Sequence, residues 1–275
     1  MSANWNSLVA DAIDALTTPT FPQCLASALK SVTTFDYSVM FAYCGDARPL
    51  DLFDDFPLSK RRVFVSAYQE GPYMLDPFFL ACNDPDREGL YRLKDLAPDR
   101  FYQAEYFRSY YVQTGLSEEI GFFIHLPGDV TAVVSLMRAD QSPQFSAREF
   151  RELKACEPVV RALAGRHWQD LHRRFSTDAE PDGRSGIQRH IEFAFRNFGK
   201  SVLTLREREV VEFVLKGYSS DAIGKILEIS PGTVRIHRKN IYAKLGINSQ
   251  GELFSQFIQA LSCVDGPGFA RIDLS

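Results

Sequence analysis

Arg235, Arg238, Lys239 and Lys244 crowd one short stretch near the carboxyl end, with Ile236 set among them. Guanidinium and ammonium groups donate to guanine O6 and N7, and an aliphatic side chain can rest on a thymine methyl. Thr233, Lys244 and the free amides expected at Ser219 and Ser230 suit phosphate oxygens, which fix register rather than base sequence. The chemistry open to this set is contact with duplex DNA. It requires the cations to stand on one exposed face of a helix whose opposite face is anchored.

The punctuation around them predicts that helix. Thr204 with Glu207 three residues on forms a capping box, and Gly217 stands where the helix between them needs a left-handed residue. Ser219 can cap a second helix reaching Leu227, and Glu228-Ile229-Ser230 makes a three-residue turn. Ser230 can cap a third helix, with Pro231 at its first position and Gly246 past its end. Ser249 with Glu252 caps a fourth. A single cap contributes only about 1 kcal/mol and is common anywhere, but a run in register from Leu203 to Leu261 is not. Val234, His237, Ile241 and Leu245 recur at three- and four-residue spacing and are expected on the buried stripe of the third helix. His237 is read there as a packed side chain, not a ligand or base.

A length of 275 residues suits two domains, and 45% hydrophobic with 24% charged residues is ordinary globular composition. Between Arg184 and Leu261 stand 12 Lys and Arg against 7 Asp and Glu, whereas the whole chain has 31 against 35. A basic module attached to an acidic one fits nucleic-acid contact at one end only. The apolar runs are too short to cross a bilayer, and the N-terminus lacks a basic-then-apolar signal. The five cysteines are scattered without a CxxC pair, so neither disulfides nor a metal site is expected, and a cytoplasmic location fits. Glu118-Glu119 reads as a solvated strand start. His167 and His172 are five apart and miss the spacing that shares one helix face. No catalytic residue, cofactor motif or phosphate loop stands out, so an enzyme is not expected.

Upstream, residues 7–32 read as a helix broken near Pro19 and Pro22, and Tyr37 to Tyr43 as a strand, with a shorter one near Pro49 to Phe53. Ser59 to Tyr68 reads as a helix capped by Ser59, Gly71 to Pro77 as a loop, and Asn83 to Gly89 as a turn. Asp99 to Thr114 is expected as an aromatic-rich helix closed by Gly115. Ile120–Leu126 and Val130–Met137 form a hairpin, and a long helix over Ser146 to Phe175 opens with a capping box. The order suits an α+β sensor of the GAF or PAS kind, an antiparallel sheet with helices. The expected division is a sensor over 1–175, a polar linker over 176–186, an all-α helix-turn-helix domain over 187–262, and a tail over 263–275. The third of these begins with an extra amphipathic helix, Ile187 to Phe198.

The run LTLREREVVEFVLKGYSSDAIGKILEISPGTVRIHRKNIYAKLGI resembles the C-terminal DNA-binding domain of LuxR/NarL-type bacterial transcription factors. The matches are Leu203-Thr204, Arg206 to Glu209, Gly217, Ile223, Leu227, Ile229-Ser230, Thr233 to Arg235, His237, Asn240-Ile241 and Lys244 to Gly246. The resemblance implies that the third helix reads DNA, with Arg235, Ile236 and Lys239 approaching bases. It also implies a homodimer on a palindromic site, held through Leu253, Phe254, Phe257, Ile258 and Leu261 of the fourth helix. Asp221-Ala222 replaces the usual Lys-Glu, and Gly224 replaces the usual Ala, at about 1 kcal/mol of helix propensity.

No alternation typical of a phosphorylated receiver precedes this domain. The N-terminal half is similar instead to the autoinducer-binding domain of quorum-sensing LuxR proteins. Asp76-Pro77 matches the family's Asp-Pro, whose carboxylate binds the amide of an acyl-homoserine lactone. Phe64 and Tyr68 stand four apart, as a Trp and a Tyr do there if one loop residue is deleted. Tyr91 falls where a second Trp is expected, and Gly121 near an expected Gly. Glu207, Val211 and Gly217 occupy three further marker positions, with Val where Leu is usual. Phe64 has no N–H to donate to a lactone carbonyl, and losing one partner of a buried polar group costs about 1–3 kcal/mol. The implied effector is thus a small molecule other than the usual lactone. Asp76 would hold its amide or ammonium, Phe64, Tyr68, Tyr91 and Phe101 would supply walls, and Ser135 a hydrogen bond. A lactone ligand, or a sensor half that only dimerises or docks a protein, remains open at this point.

Overall fold

The computed structural model describes residues 3–45, 47–70, 72–82, 84–104, 107–108, 115–177 and 198–262. They fall into two compact units. The first comprises Met1–Ala97 and Tyr110–Ser185, the second Pro98–Ser109 and Gly186–Ser275. The second unit thus takes in a segment from inside the expected 1–175 sensor. Most of the expected linker, the helix expected from Ile187 and the tail over 263–275 lie outside the described residues.

The first unit begins with α1 (Ala3–Asp14) and α2 (Phe21–Lys30), followed by β1 (Tyr37–Cys44) and β2 (Leu50–Asp54). Then come α3 (Leu58–Arg61), α4 (Pro77–Cys82), β3 (Gly89–Arg92) and α5 (Leu93–Leu96). The hairpin β4 (Leu116–Leu126) and β5 (Val130–Ala139) precedes α6 (Ala147–His167) and α7 (His172–Thr177). The five strands pair antiparallel in the order β2-β1-β5-β4-β3. Strand β3 was not expected, being too short for alternation to register.

Alternation gives the sheet two buried faces. Met40, Ala42, Ile120, Phe122, Ile124, Val134 and Leu136 pack with Leu25 and Leu29 of α2 and Leu153 and Val160 of α6 in one core. The opposite face carries Phe41, Tyr43, Gly121, Phe123, Val133 and Ser135. Tyr68 and the ring of Phe79 cover it, 5.1 Å from Phe41 and 5.7 Å from Tyr43 between centroids.

Several elements differ from expectation. Ser59 does not cap its helix: α3 starts after Pro57 without a side-chain cap. The chain continues as a wider turn over Arg62–Ala67 and a tighter one over Tyr68–Glu70. Of the helix expected over 99–114, the described residues hold a tight turn, Phe101–Gln103, and a piece of a wider helical turn at 107–108, and the rest lies outside the described residues. Helix α6 has the expected capping box between Ser146 and Glu149 but ends at His167.

Glu118 and Glu119 are buried, not solvated. Glu118 accepts from Arg92 at 2.5 Å and from the Phe145 amide at 2.5 Å, which compensates its burial. On the same side of the sheet Arg138 donates to Glu149 at 2.6 Å and to Thr34 O and Pro143 O at 2.7 Å. Burial works to raise the Glu149 carboxyl, but bonds from Ser146, Arg138 and Thr33 outweigh it and pull it down to about 2. These pairs tie the hairpin to the start of α6.

The described part of the second unit holds α8 (Leu205–Lys216), α9 (Ser220–Ile226), α10 (Pro231–Leu245) and α11 (Gln250–Ser262). The caps at Thr204, Ser219 and Ser230 all accept the expected backbone amides, and Gly217 and Gly246 end their helices left-handed. Val210, Val214, Ile223, Val234 and Ile241 close the core with Leu253, Phe254 and Phe257 of α11.

Candidate functional site

Helix α10 has the two-faced character that groove entry demands. Val234 is 0% and Ile241 1% exposed, whereas Ile236 is 61% exposed. The Arg235 side chain is 66% exposed, and its only nearby acid among the described residues is Asp221, at 3.9 Å. Lys239 is exposed as well. His237 and Leu245, expected on the buried stripe, are only half-buried, since a 3.6-residue turn carries them to its margin. Arg238 lies half-buried against its own unit, donating to Tyr242 Oη at 3.2 Å and Gln250 Oε1 at 3.4 Å. At the helix start Ser230 Oγ accepts from the Thr233 amide at 3.0 Å and lies 2.8 Å from the Thr233 hydroxyl.

Two expected phosphate contacts are otherwise engaged. The Ser219 amide donates to Asp99 Oδ1 at 2.9 Å, and Ser219 itself is buried as the cap of α9. Lys244 reaches both oxygens of Glu207, at 3.0 and 2.7 Å. Burial works to raise the Glu207 carboxyl, but bonds from Lys244 and from the Thr204 amide and hydroxyl hold it below the usual range. Lys244 therefore ties the last turn of α10 to the first turn of α8. Nothing in its spacing marked that bond, because Glu207 is remote in sequence.

Gly224 has a steric reason that propensity misses. A Cβ there would lie 2.8 Å from Ile229 O and 3.3 Å from Pro231 N, both backbone atoms of the turn into α10. The departure from Ala therefore lets the two helices approach. Gly224→Ala is expected to destabilise the unit by about 1–2 kcal/mol, because overpacking against backbone outweighs the gain in propensity. Urea unfolding of the two proteins measures it; a more stable variant would refute the close-approach account.

Leu253, Phe254 and Phe257, expected to face a second copy, are packed inside their own unit and retain little apolar surface to offer. The side chains of Ile258 and Leu261 lie outside the described residues.

The first unit gathers a polar chain inside its second sheet face. Tyr68 Oη donates to Asp76 Oδ2 at 2.8 Å and lies 2.9 Å from Tyr43 Oη. Asp76 Oδ1 accepts from the Phe78 amide at 2.8 Å, so the carboxylate also opens α4. Burial raises the Asp76 carboxyl to about 6, and its bonds to Phe78 and Tyr68 restrain the rise only in part. Burial and the nearby Asp76 push the Tyr43 hydroxyl up in turn. Tyr43 was missed, although strand alternation with Phe41 would have placed it on this face.

The other expected residues scatter more. Ser135 is buried on the same sheet face. Opposite it in register is Gly121, where a Cβ would meet the Phe78 ring at 2.7 Å. Phe64 stacks on Phe56 at 4.7 Å, half-buried. Tyr91 sets its edge on Phe123 at 5.6 Å and donates to Glu88 O at 3.4 Å. Phe101 does not join this group: it is fully buried and belongs to the second unit, its backbone against Gly217.

Residues 201–256 match the family described as bacterial regulatory proteins, luxR family. A helix-turn-helix-type transcriptional regulator from the exeN 3′ region of Aeromonas salmonicida is 33% identical over 187 residues, 68% of this chain and 94% of that protein. The response regulator protein TodT of Pseudomonas putida is 31% identical over 139 residues, 50% of this chain and 53% of its own length. The crystal structure of the VqsR LBD domain from Pseudomonas aeruginosa superposes with a TM-score of 0.52 at 25% identity, covering 60% of this chain and 97% of that one.

Proposed function

Because this chain belongs to the LuxR family of bacterial transcriptional regulators, a family of DNA-binding proteins and not enzymes, we propose that it reads a palindromic operator as a homodimer under control of a small molecule. One observation carries the DNA reading: Arg235, Ile236 and Lys239 stand exposed on a helix anchored behind by Val234 and Ile241. In helix-turn-helix docking the N-terminal part of such a helix enters the major groove, and two copies read half-sites about one DNA turn apart. Arg235 and Lys239 read bases, Ile236 touches a thymine methyl, and Ser230 and Thr233 set the backbone register.

Arg235→Ala or Lys239→Ala is expected to cost about 1–3 kcal/mol on the selected operator and to relax preference at one base position. Selection from a randomised duplex pool, followed by titration of both variants, tests this. A wild-type protein that enriches no sequence would sink the reading.

The sensor reading rests on Asp76, Tyr68 and Tyr43. A desolvated carboxylate bonded to one phenol, and through it to a second, is suited to a ligand that donates hydrogen bonds or carries positive charge. Phe64 supplies no donor there, so the ligand's acceptor groups must be served otherwise or be absent. Ligand binding shifts the population of DNA-competent chains, with no covalent step. The protein acts in the cytoplasm in this reading; among the described residues no helix is long and apolar enough to cross a membrane.

A further inference from the structure

We propose that Arg100, from outside the helix-turn-helix, is a DNA-phosphate contact, and that the turn carrying it completes the DNA-facing surface of the second unit. This rests on the DNA reading above. Three features fix the turn. The Ser219 amide donates to Asp99 at 2.9 Å, and the Arg100 amide donates to Gly217 O at 3.1 Å. Phe101 is fully buried, and a Cβ on Gly217 would lie 3.0 Å from its Cα. Gly217 has φ 92°, so this close seat needs glycine on conformational grounds too.

The Arg100 backbone is thereby held while its side chain is exposed, lining a cleft of about 290 Å³ with Ser220, Asp221, Arg235 and Arg238. Charge decides what the cleft can take. Three guanidiniums, those of Arg100, Arg235 and Arg238, face one lining carboxylate, Asp221, which lies 3.9 Å from Arg235, and Arg238 already serves Tyr242 and Gln250. Arg100 raises an already positive lining further, to three guanidiniums against one carboxylate.

The Ser219 amide is already taken by Asp99. The neighbouring guanidinium replaces that donor with a charged fork, which matches two oxygens of a phosphodiester. A contact to phosphate strengthens binding to every sequence equally and adds to the salt dependence.

The test uses the full chain and a fluorescent random-sequence duplex, titrated by anisotropy between about 50 and 200 mM salt. Arg100→Ala is expected to bind roughly five- to tenfold more weakly at about 0.1 M salt and to flatten the log–log salt slope by about 0.9. Arg100→Lys should keep most of the slope, because it keeps the charge. Thermal midpoints are read first; if Arg100→Ala melts early, Arg100→Gln takes its place. A native-like variant with wild-type slope and affinity overturns the proposal while the DNA reading stands. Tighter binding also overturns it, since the turn would then cover the surface. A wild-type chain that binds no duplex at any salt removes both.

Discussion

Replacing Lys244 with alanine is expected to destabilise the DNA-binding unit by about 2–3 kcal/mol, and to reduce DNA binding through that loss. Glu207 is buried, and it caps α8 through the Thr204 amide at 2.8 Å while accepting from Lys244. Removing one partner of such a pair leaves a desolvated carboxylate, which costs far more than the pair's net contribution. Lys244 is itself partly open to solvent, so the figure belongs at the lower end of the range for buried pairs. The effect has a pH signature. The folded-state carboxyl of Glu207 is held below its ordinary value, so this pair contributes stability above the ordinary glutamate range and loses it as pH falls. Lys244→Ala should flatten that part of the stability profile.

A double-mutant cycle with Glu207→Gln isolates the interaction. If Lys244 instead served a phosphate, Lys244→Ala would leave urea stability near wild type and lower the salt slope of DNA binding by about 0.9. The two outcomes are opposite in both measurements.

The contrast between Lys244 and Arg235 marks where sequence reasoning ends. Both are cations on one helix at positions matching a DNA-reading family, yet only Lys244 is held by a buried carboxylate. Caps are local: Thr204 with Glu207, Ser219 with Ala222 and Ser230 with Thr233 each lie within three residues, so their chemistry was legible before any fold. The hairpin was legible for the same reason, because two β-branched and aromatic runs flank the local turn Pro127-Gly128-Asp129. The Glu207–Lys244, Asp99–Ser219 and Arg92–Glu118 bonds join residues far apart along the chain, and no local pattern encodes them.

Aromatic content misled in a different way. Phe101 was grouped with the sensor by its place in the chain, and the fold assigns it to the other unit. Gly224 misled because propensity describes an isolated helix, whereas the turn backbone sets what fits beside α9. On the sensor side, Asp76 and Tyr68 were reached by resemblance and the fold joins them through one bond, while Phe64 packs on Phe56.

Asp76→Asn is expected to make the chain more stable at neutral pH by up to about 3 kcal/mol, while abolishing response to an amine-bearing effector. The sign follows from burial. Burial pushes the carboxyl up to about 6 from its ordinary 3.8, so the ionised form is disfavoured inside the protein. Asp76 therefore costs stability progressively as pH rises from about 4 through 6, and two pKa units correspond to about 3 kcal/mol. Asparagine keeps an acceptor for the Phe78 amide and offers Tyr68 a donor, so the hydrogen-bonded chain can re-form without the charge.

A bound ammonium would reverse the preference, stabilising the carboxylate, releasing a proton on binding near pH 6, and weakening as the pH is lowered further. Thermal unfolding of both proteins from pH 5 to 8 measures the first effect, and calorimetry with aromatic and aliphatic amines in two buffers of different ionisation heat measures the second. Superimposable stability profiles would remove the titration account of Asp76. Equal amine affinity in both proteins would place the effector elsewhere, and nanomolar binding of an acyl-homoserine lactone would show that Phe64 does not exclude that class.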